Sequence, residues 1–249
     1  MALKSNNNEK LESLVGQTPQ VSIFLQPIAP PAALGLAGFA GSTFVSAMWI
    51  AHWWGNGDSP TIFFPFVAFW GGLAQFIAGI EGFKARDVLV TVINTMWGAF
   101  WMSAGVMWLL NATGTLQAQS IDAHFPELAS WFAVVAAFTW VGAFAATARD
   151  VILASLLACL ATGSTIALCL FSYGGGVRAG MKAAAYFWII SSILAWWRVT
   201  VYLVEEAFGP KSKVASFFPV FRLPKEKSAP LVVPGLGEPG VKRGMPGVV

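Results

Sequence analysis

The chain has 249 residues, of which 56 % are apolar and 11 % charged, with a formal net charge of +3 and only two cysteines. Ordinary soluble domains carry roughly 25 % charged residues, so the composition excludes a conventional soluble enzyme, and so small a positive balance gives no basis for a nucleic-acid partner. Two cysteines cannot build a disulfide scaffold, and lipid is the solvent that suits most of this chain.

Taken in chain order, residues 1–28 are polar, with Lys4, Glu9, Lys10 and Glu12 beside an SNNN run, and read as an N-terminal tail rather than a cleaved leader. Long charge-free runs follow, at 13–57, 59–80, 88–121, 128–148 and 151–177, with a shorter one at 183–197. A spanning helix needs about 20 mostly apolar residues. The runs predict six of them, near 32–54, 61–81, 88–110, 129–148, 151–173 and 183–204, the last enclosing Arg198. The fold expected is an all-α membrane protein, a compact six-helix bundle over residues 29–222. The remaining 223–249 hold five Pro and five Gly and read as a disordered tail.

Twelve of the fifteen Lys and Arg, including Lys84, Arg86, Arg149 and those of both tails, fall on the side of the N-terminus, against Arg178 and Lys182 on the other. By the positive-inside rule both termini are expected in the cytoplasm. No peroxisomal or ER-retention signal ends the chain, so the plasma membrane is the default location.

The first helix opens on Pro30 and Pro31, where lost N–H groups are tolerated. Its free N–H groups near Leu34 and Gly35 offer a positive dipole end to an anion. Phe39 follows about one turn on, as either a gate or lipid-facing bulk. In the second helix Gly71, Gln75 and Gly79 recur at spacing four on one face, with Gly72 beside them. They serve close helix packing, or leave the Gln75 amide to line a passage. Glu81, at that helix's end near Lys84 and Arg86, reads as an ion-pair residue rather than a proton carrier. In the third helix Asn94, Trp97, Trp101 and Trp108 share one face, which points inward, to a packed aromatic core or a narrow passage. Arg198 either pairs within the bundle or serves conduction. His52 and His124 have no companion ligands, so no metal is expected, and no phosphate loop, paired acids or nucleophile set suggests a cofactor or an enzyme.

These motifs together resemble the acetate uptake transporter family, also called succinate–acetate permeases, with a flavour of its fungal branch. The carriers of the resemblance are Pro30-Pro31-Ala32-Ala33-Leu34-Gly35-Leu36, the set Gly71, Gly72, Gln75, Gly79 and Glu81, Trp97-Gly98-Ala99-Phe100-Trp101, the run AWWRVTVYLVEEAFG and the later FFPVF. The resemblance covers about residues 29–222. It implies a passage in each protomer, assembly as a homo-hexamer, and transport of acetate-like monocarboxylates, either proton-coupled or channel-like. It implies that Phe39 is a constriction residue, that Trp97 replaces a constriction tyrosine, and that Leu156 or Leu157 supplies the third member. The sequence departs from the pattern at Pro30, where the family has Asn, at Ala33, where it has Pro, and at Glu81, which comes one residue early. The function expected is transport of a small carboxylate, with a proton as a second partner. The rival readings are passage of ammonium, ammonia or another small solute, and a non-transporting scaffold or sensor.

Overall fold

The structure, a computed structural model, describes residues 28–117, 124–174 and 177–222. The expected tails, save residue 28, lie outside the described residues. Six helices are long and apolar enough to cross a membrane. They are α1 (Pro31–Ile50), α2 (Pro60–Lys84), α3 (Val88–Ala112), α4 (Pro126–Ala146), α5 (Val151–Tyr173) and α6 (Val177–Phe208). A short α7 (Lys213–Ser216) follows.

Local chemistry sets the helix ends. Proline opens α1, α2 and α4, where a missing N–H costs nothing. Aspartate caps the other two odd-numbered starts: Asp87 accepts from Val90 N in α3 and Asp150 from Leu153 N in α5. Gly174, in the left-handed region at φ 71°, ends α5. The end of α1 and both ends of α6 differ most from the sequence expectation. α1 stops at Ile50 rather than 54, because Ala51 and His52 turn the chain, His52 with φ 60°, and Trp49 Nε1 donates to the Asn56 carbonyl at 2.8 Å. α6 begins at Val177 rather than 183. It carries Arg178 and Lys182 on its first turns, where long cationic side chains reach the membrane edge.

The outward faces are apolar without relief. Ile62 is 83 % exposed, Phe144 79 % and Val141 69 %, with Phe69, Ile77, Ile190, Ile193 and Leu203 also exposed. A water-facing protein does not carry so extensive an apolar surface, and lipid covers it without cost. Inside, α1, α3, α4, α5 and α6 follow one another around a ring, and α2 packs from outside into the groove between α1 and α3. Odd-numbered helices start at one end, called here the lower end, and residue 28 and Arg222 both lie there after six crossings.

α2 is irregular. Pro65 lacks the N–H that its preceding turn requires, and just beyond it the helix widens into π turns over Val67–Ala74. Trp70 of this stretch donates from Nε1 to the Ala37 carbonyl of α1 at 3.2 Å. Gly38 makes the approach feasible, since a Cβ there would stand 2.5 Å from the Trp70 carbonyl oxygen.

The lower end is held by ion pairs. Arg149 forks onto Asp87, Nη1 to Oδ2 and Nη2 to Oδ1, both at 2.6 Å. Arg198 Nη2 lies 3.0 Å from Asp150 Oδ2 with both side chains buried. Arg222 Nη2 reaches Glu205 Oε1 at 3.1 Å. The segment after α6 folds back as a strap: Val151 N donates to the Phe221 carbonyl and Trp197 Nε1 to that of Pro219, with Val220 buried beneath.

Burial alone would raise the Asp87 carboxyl, but the Arg149 hydrogen bonds and charge, with the Val90 N–H and the more distant Arg198 charge, hold it below the ordinary value. A depressed folded value means that its contribution is complete above the unfolded value, about 3.9, and is lost as pH falls through the lower folded value. The Tm advantage of the wild type over Asp87→Asn in detergent is therefore expected to be constant from pH 7 to about 4 and to shrink below that. Gly38→Ala is expected to cost about 1–3 kcal/mol of stability by thermal unfolding. Gly57→Ala, where a Cβ would meet nothing within 4 Å, serves as the control.

Candidate functional site: two chambers and an aromatic divide

Two cavities lie in line within the bundle. The lower one, about 30 Å³, is lined among others by Phe39, Gln75, Asn94, Trp97, Leu156 and Arg198. It has room for about two waters. The upper one, about 80 Å³, is lined among others by Thr43, Ser46, Trp101, Trp131, Phe132 and Trp188. Trp97 and Leu160 line both and form the divide. Above, a wide vestibule of about 790 Å³ at the α1–α2 turn shares Trp49, Met107, Trp108 and Leu128 with the upper chamber.

The divide is fixed by edge-to-face aromatic contacts. Phe39 meets Trp97 with ring centroids 6.3 Å apart, and Trp97 meets Phe100 at 5.1 Å. Trp97 is anchored to α4 through its Nε1, which donates to Thr139 Oγ1 at 2.9 Å. Its one polar atom is thus committed to a neighbouring helix. Phe39 is 2 % exposed and belongs to the interior, not to the lipid face.

In the lower chamber Gln75 Nε2 lies 3.4 Å from Asn94 Oδ1, and Asn94 Nδ2 donates to the Val90 carbonyl at 2.9 Å. Gln75 Oε1 has no hydrogen-bond partner among the described residues. Gly35 faces Asn94 so closely that any Cβ would collide with the amide, so the glycine makes room for it. In the upper chamber Thr43 Oγ1, Ser46 Oγ and the indole nitrogens of Trp101 and Trp188 also lack partners among the described residues. A buried polar group left unmatched costs about 1–3 kcal/mol, and all four belong to residues of the upper chamber's wall.

The structure thus brings Phe39, Gln75, Asn94, Trp97, Leu156, Leu157 and Arg198 to one chamber. It places others elsewhere. Leu34 is 48 % exposed and lies off the chamber wall. Pro30 and Pro31 are buried at the α1 start. Gly71 packs against Ser42 and Trp101, Gly72 against Met102 and Gly79 against Thr95. The spacing of four that linked Gly71 to Gln75 runs through the π turns, where that register does not hold. Glu81 pairs with Lys84 at 2.7 Å on the outside. Sequence reasoning did not single out Leu160, Thr139, Asp87 or Asp150. The last two had a signal in the repeated Ala-Arg-Asp-Val, at Ala85–Val88 and again at Ala148–Val151. Among the described residues no group of three or more His, Cys, Asp and Glu could hold a metal ion.

These features define a six-span helical membrane bundle with polar side chains buried along its axis. The chain belongs to the GPR1/FUN34/yaaH family, which matches residues 16–224. It is 28 % identical over 203 residues to Ammonia transport outward protein 2 of Saccharomyces cerevisiae, covering 76 % of this chain and 70 % of that protein. Its fold matches that of the bacterial acetate channel SatP with a TM-score of 0.65 at 22 % identity, over 73 % of this chain and 96 % of the other.

Thr139→Val removes the acceptor of the Trp97 indole and is expected to cost about 1–3 kcal/mol in thermal unfolding. Thr139→Ser, which keeps an acceptor hydroxyl, is expected to recover most of it.

Proposed function

We propose that the chain carries acetate or a similar short monocarboxylate across the plasma membrane, through a passage formed by the vestibule, the two chambers and the divide between them. The observation that carries the reading is the pair of chambers in series, apolar walled yet supplied with polar groups on each side of Trp97 and Leu160. A carboxylate with one methyl group needs both kinds of wall. Its charge is costly to bury without donors. Its methyl group fits between aromatic faces that exclude hydrated ions.

The solute enters from the vestibule and its oxygens meet the hydroxyls of Thr43 and Ser46 and the indoles of Trp101 and Trp188. It crosses when Phe39, Trp97 and the Leu156–Leu157–Leu160 face of α5 give way. Below, the Gln75 and Asn94 amides receive it near the first turn of α1. The anion travels either with a proton or alone, and the assembly is a homo-oligomer, a hexamer by family likeness. Both termini are cytoplasmic, as the excess of Lys and Arg at the lower end favours. The similarity to an acetate channel supports the carboxylate.

A second reading has a specific observation behind it, the similarity to a yeast protein named for outward ammonia transport. In that reading the aromatic divide admits a small neutral molecule and the amides only order its water.

Purified protein in liposomes is expected to take up radiolabelled acetate saturably, above the leak of empty liposomes, with competition by other short monocarboxylates. Gln75→Ala with Asn94→Ala is expected to cut that uptake about tenfold, the loss of about 1.4 kcal/mol of stabilisation. Imposed pH and voltage gradients separate proton coupling from anion conduction. Methylammonium flux without acetate flux gives the second reading instead, and unchanged uptake in the double variant removes the two amides from the site.

A further inference from the structure

Arg198 is 3 % exposed and is the one charged side chain among the residues lining the lower chamber. Its partner Asp150 stands outside that lining. One Asp150 oxygen, Oδ1, accepts the Leu153 N–H, and the other, Oδ2, faces Arg198 Nη2 at 3.0 Å. The ion pair is neutral as a whole but not as seen from the chamber, where the cation is the nearer end.

Three helix starts add charge of the same sign. Ala32 of α1, Leu89 and Val90 of α3 and Leu153 of α5 all line it, and each belongs to the first turn of its helix. The partial positive charge of three helix starts therefore converges there. Gln75, 1 % exposed, adds a buried amide whose Oε1 has no partner among the described residues. Among the described residues that line it none is acidic, in contrast to the vestibule, where Asp58 contributes.

We infer that Arg198 is the charge-selecting residue of the lower chamber, attracting the carboxylate of the passing solute and turning back ammonium-type cations, with Asp150 as the positioning residue that holds it. The inference rests on the carboxylate reading above and adds to it the group that sets the sign of the permeant ion. A guanidinium presents several N–H donors in a fixed fork, and Arg198 turns Nη2 of that fork to Asp150.

The test uses the full chain in liposomes, with size-exclusion and thermal unfolding to check each variant, and radiolabelled acetate and methylammonium as probes. The double variant Arg198→Gln with Asp150→Asn removes both charges but keeps polar contact and the helix cap. It is expected to lower the acetate-to-methylammonium uptake ratio about tenfold or more. Asp150→Asn alone, which leaves the cation less neutralised, is expected to lower the half-saturating acetate concentration. Arg198→Lys keeps the charge but not the fork, and is expected to hold the ratio while raising the half-saturating concentration. Wild-type acetate uptake with an unchanged ratio in the double variant overturns this inference alone. Should the double variant not assemble, half-saturation unchanged in both Asp150→Asn and Arg198→Lys overturns it. Methylammonium uptake without acetate uptake in the wild type overturns the carboxylate reading and this inference together.

Discussion

A charge removed from water must find an opposite charge or be neutralised, and within a lipid-embedded bundle that rule decides how the lower end is built. Burying an isolated ion costs several kcal/mol even after the protein relaxes. Asp87 and Asp150 meet the rule twice over, each capping a helix start and each receiving an arginine from another element. The two pairs fix where α3 and α5 begin relative to the α4–α5 turn and to α6. They also hold the first turns that wall the lower chamber. Had these carboxylates been replaced by apolar residues, the helices could still pack, but nothing would set their starts at one height.

Above that floor the packing is decided by size rather than charge. Large aromatic rings fill the axis, and small residues at the helix crossings let backbones come close enough for the rings to meet. Gly38 against Trp70 and Gly35 against Asn94 are two such places. In each, the absent Cβ on one helix is what seats a specific group of the next. The Trp97 indole, tied to Thr139, spans α3 and α4 and keeps the divide from being a loose plug. The result is a bundle with buried polar groups on both sides of an aromatic divide.

Much of this was legible in the sequence because a membrane simplifies the problem. Charge-free runs mark crossings, and the helices fall where the runs do. The inward face of α3 was legible because Asn94 is costly against lipid, and Asn94, Trp97 and Trp101 are buried. The end of α1 was not, because Trp53 and Trp54 continue the apolar run after the backbone has turned at His52. The wide turns of α2 were hidden because Pro65 shows that a helix is disturbed but not how its neighbours absorb it. Leu160 was hidden because one leucine among many on α5 carries no periodic mark, and its role comes from what stands opposite. Arg198 was recognised as needing a partner, yet the partner lies on another helix, in a repeated tetrapeptide whose two copies exchange roles: the second supplies Arg149 to the first copy's Asp87 and then offers its own Asp150 to Arg198.

That exchange has a direction. In each of the three arginine pairs among the described residues the carboxylate comes earlier in the chain than its arginine: Asp87 before Arg149, Asp150 before Arg198, Glu205 before Arg222. A ribosome therefore delivers each of these three acids ahead of its base. Asp87 and Arg149 are separated by 62 positions, so at about 5–20 residues per second the first carboxylate waits on the order of 3–12 s for its partner. During that interval α3 has its cap but not its counter-charge, and its starting end can stay at the watery edge of the bilayer until the next hairpin arrives. The strap that brings Arg222 to Glu205 is the last of these pairing elements to be synthesised.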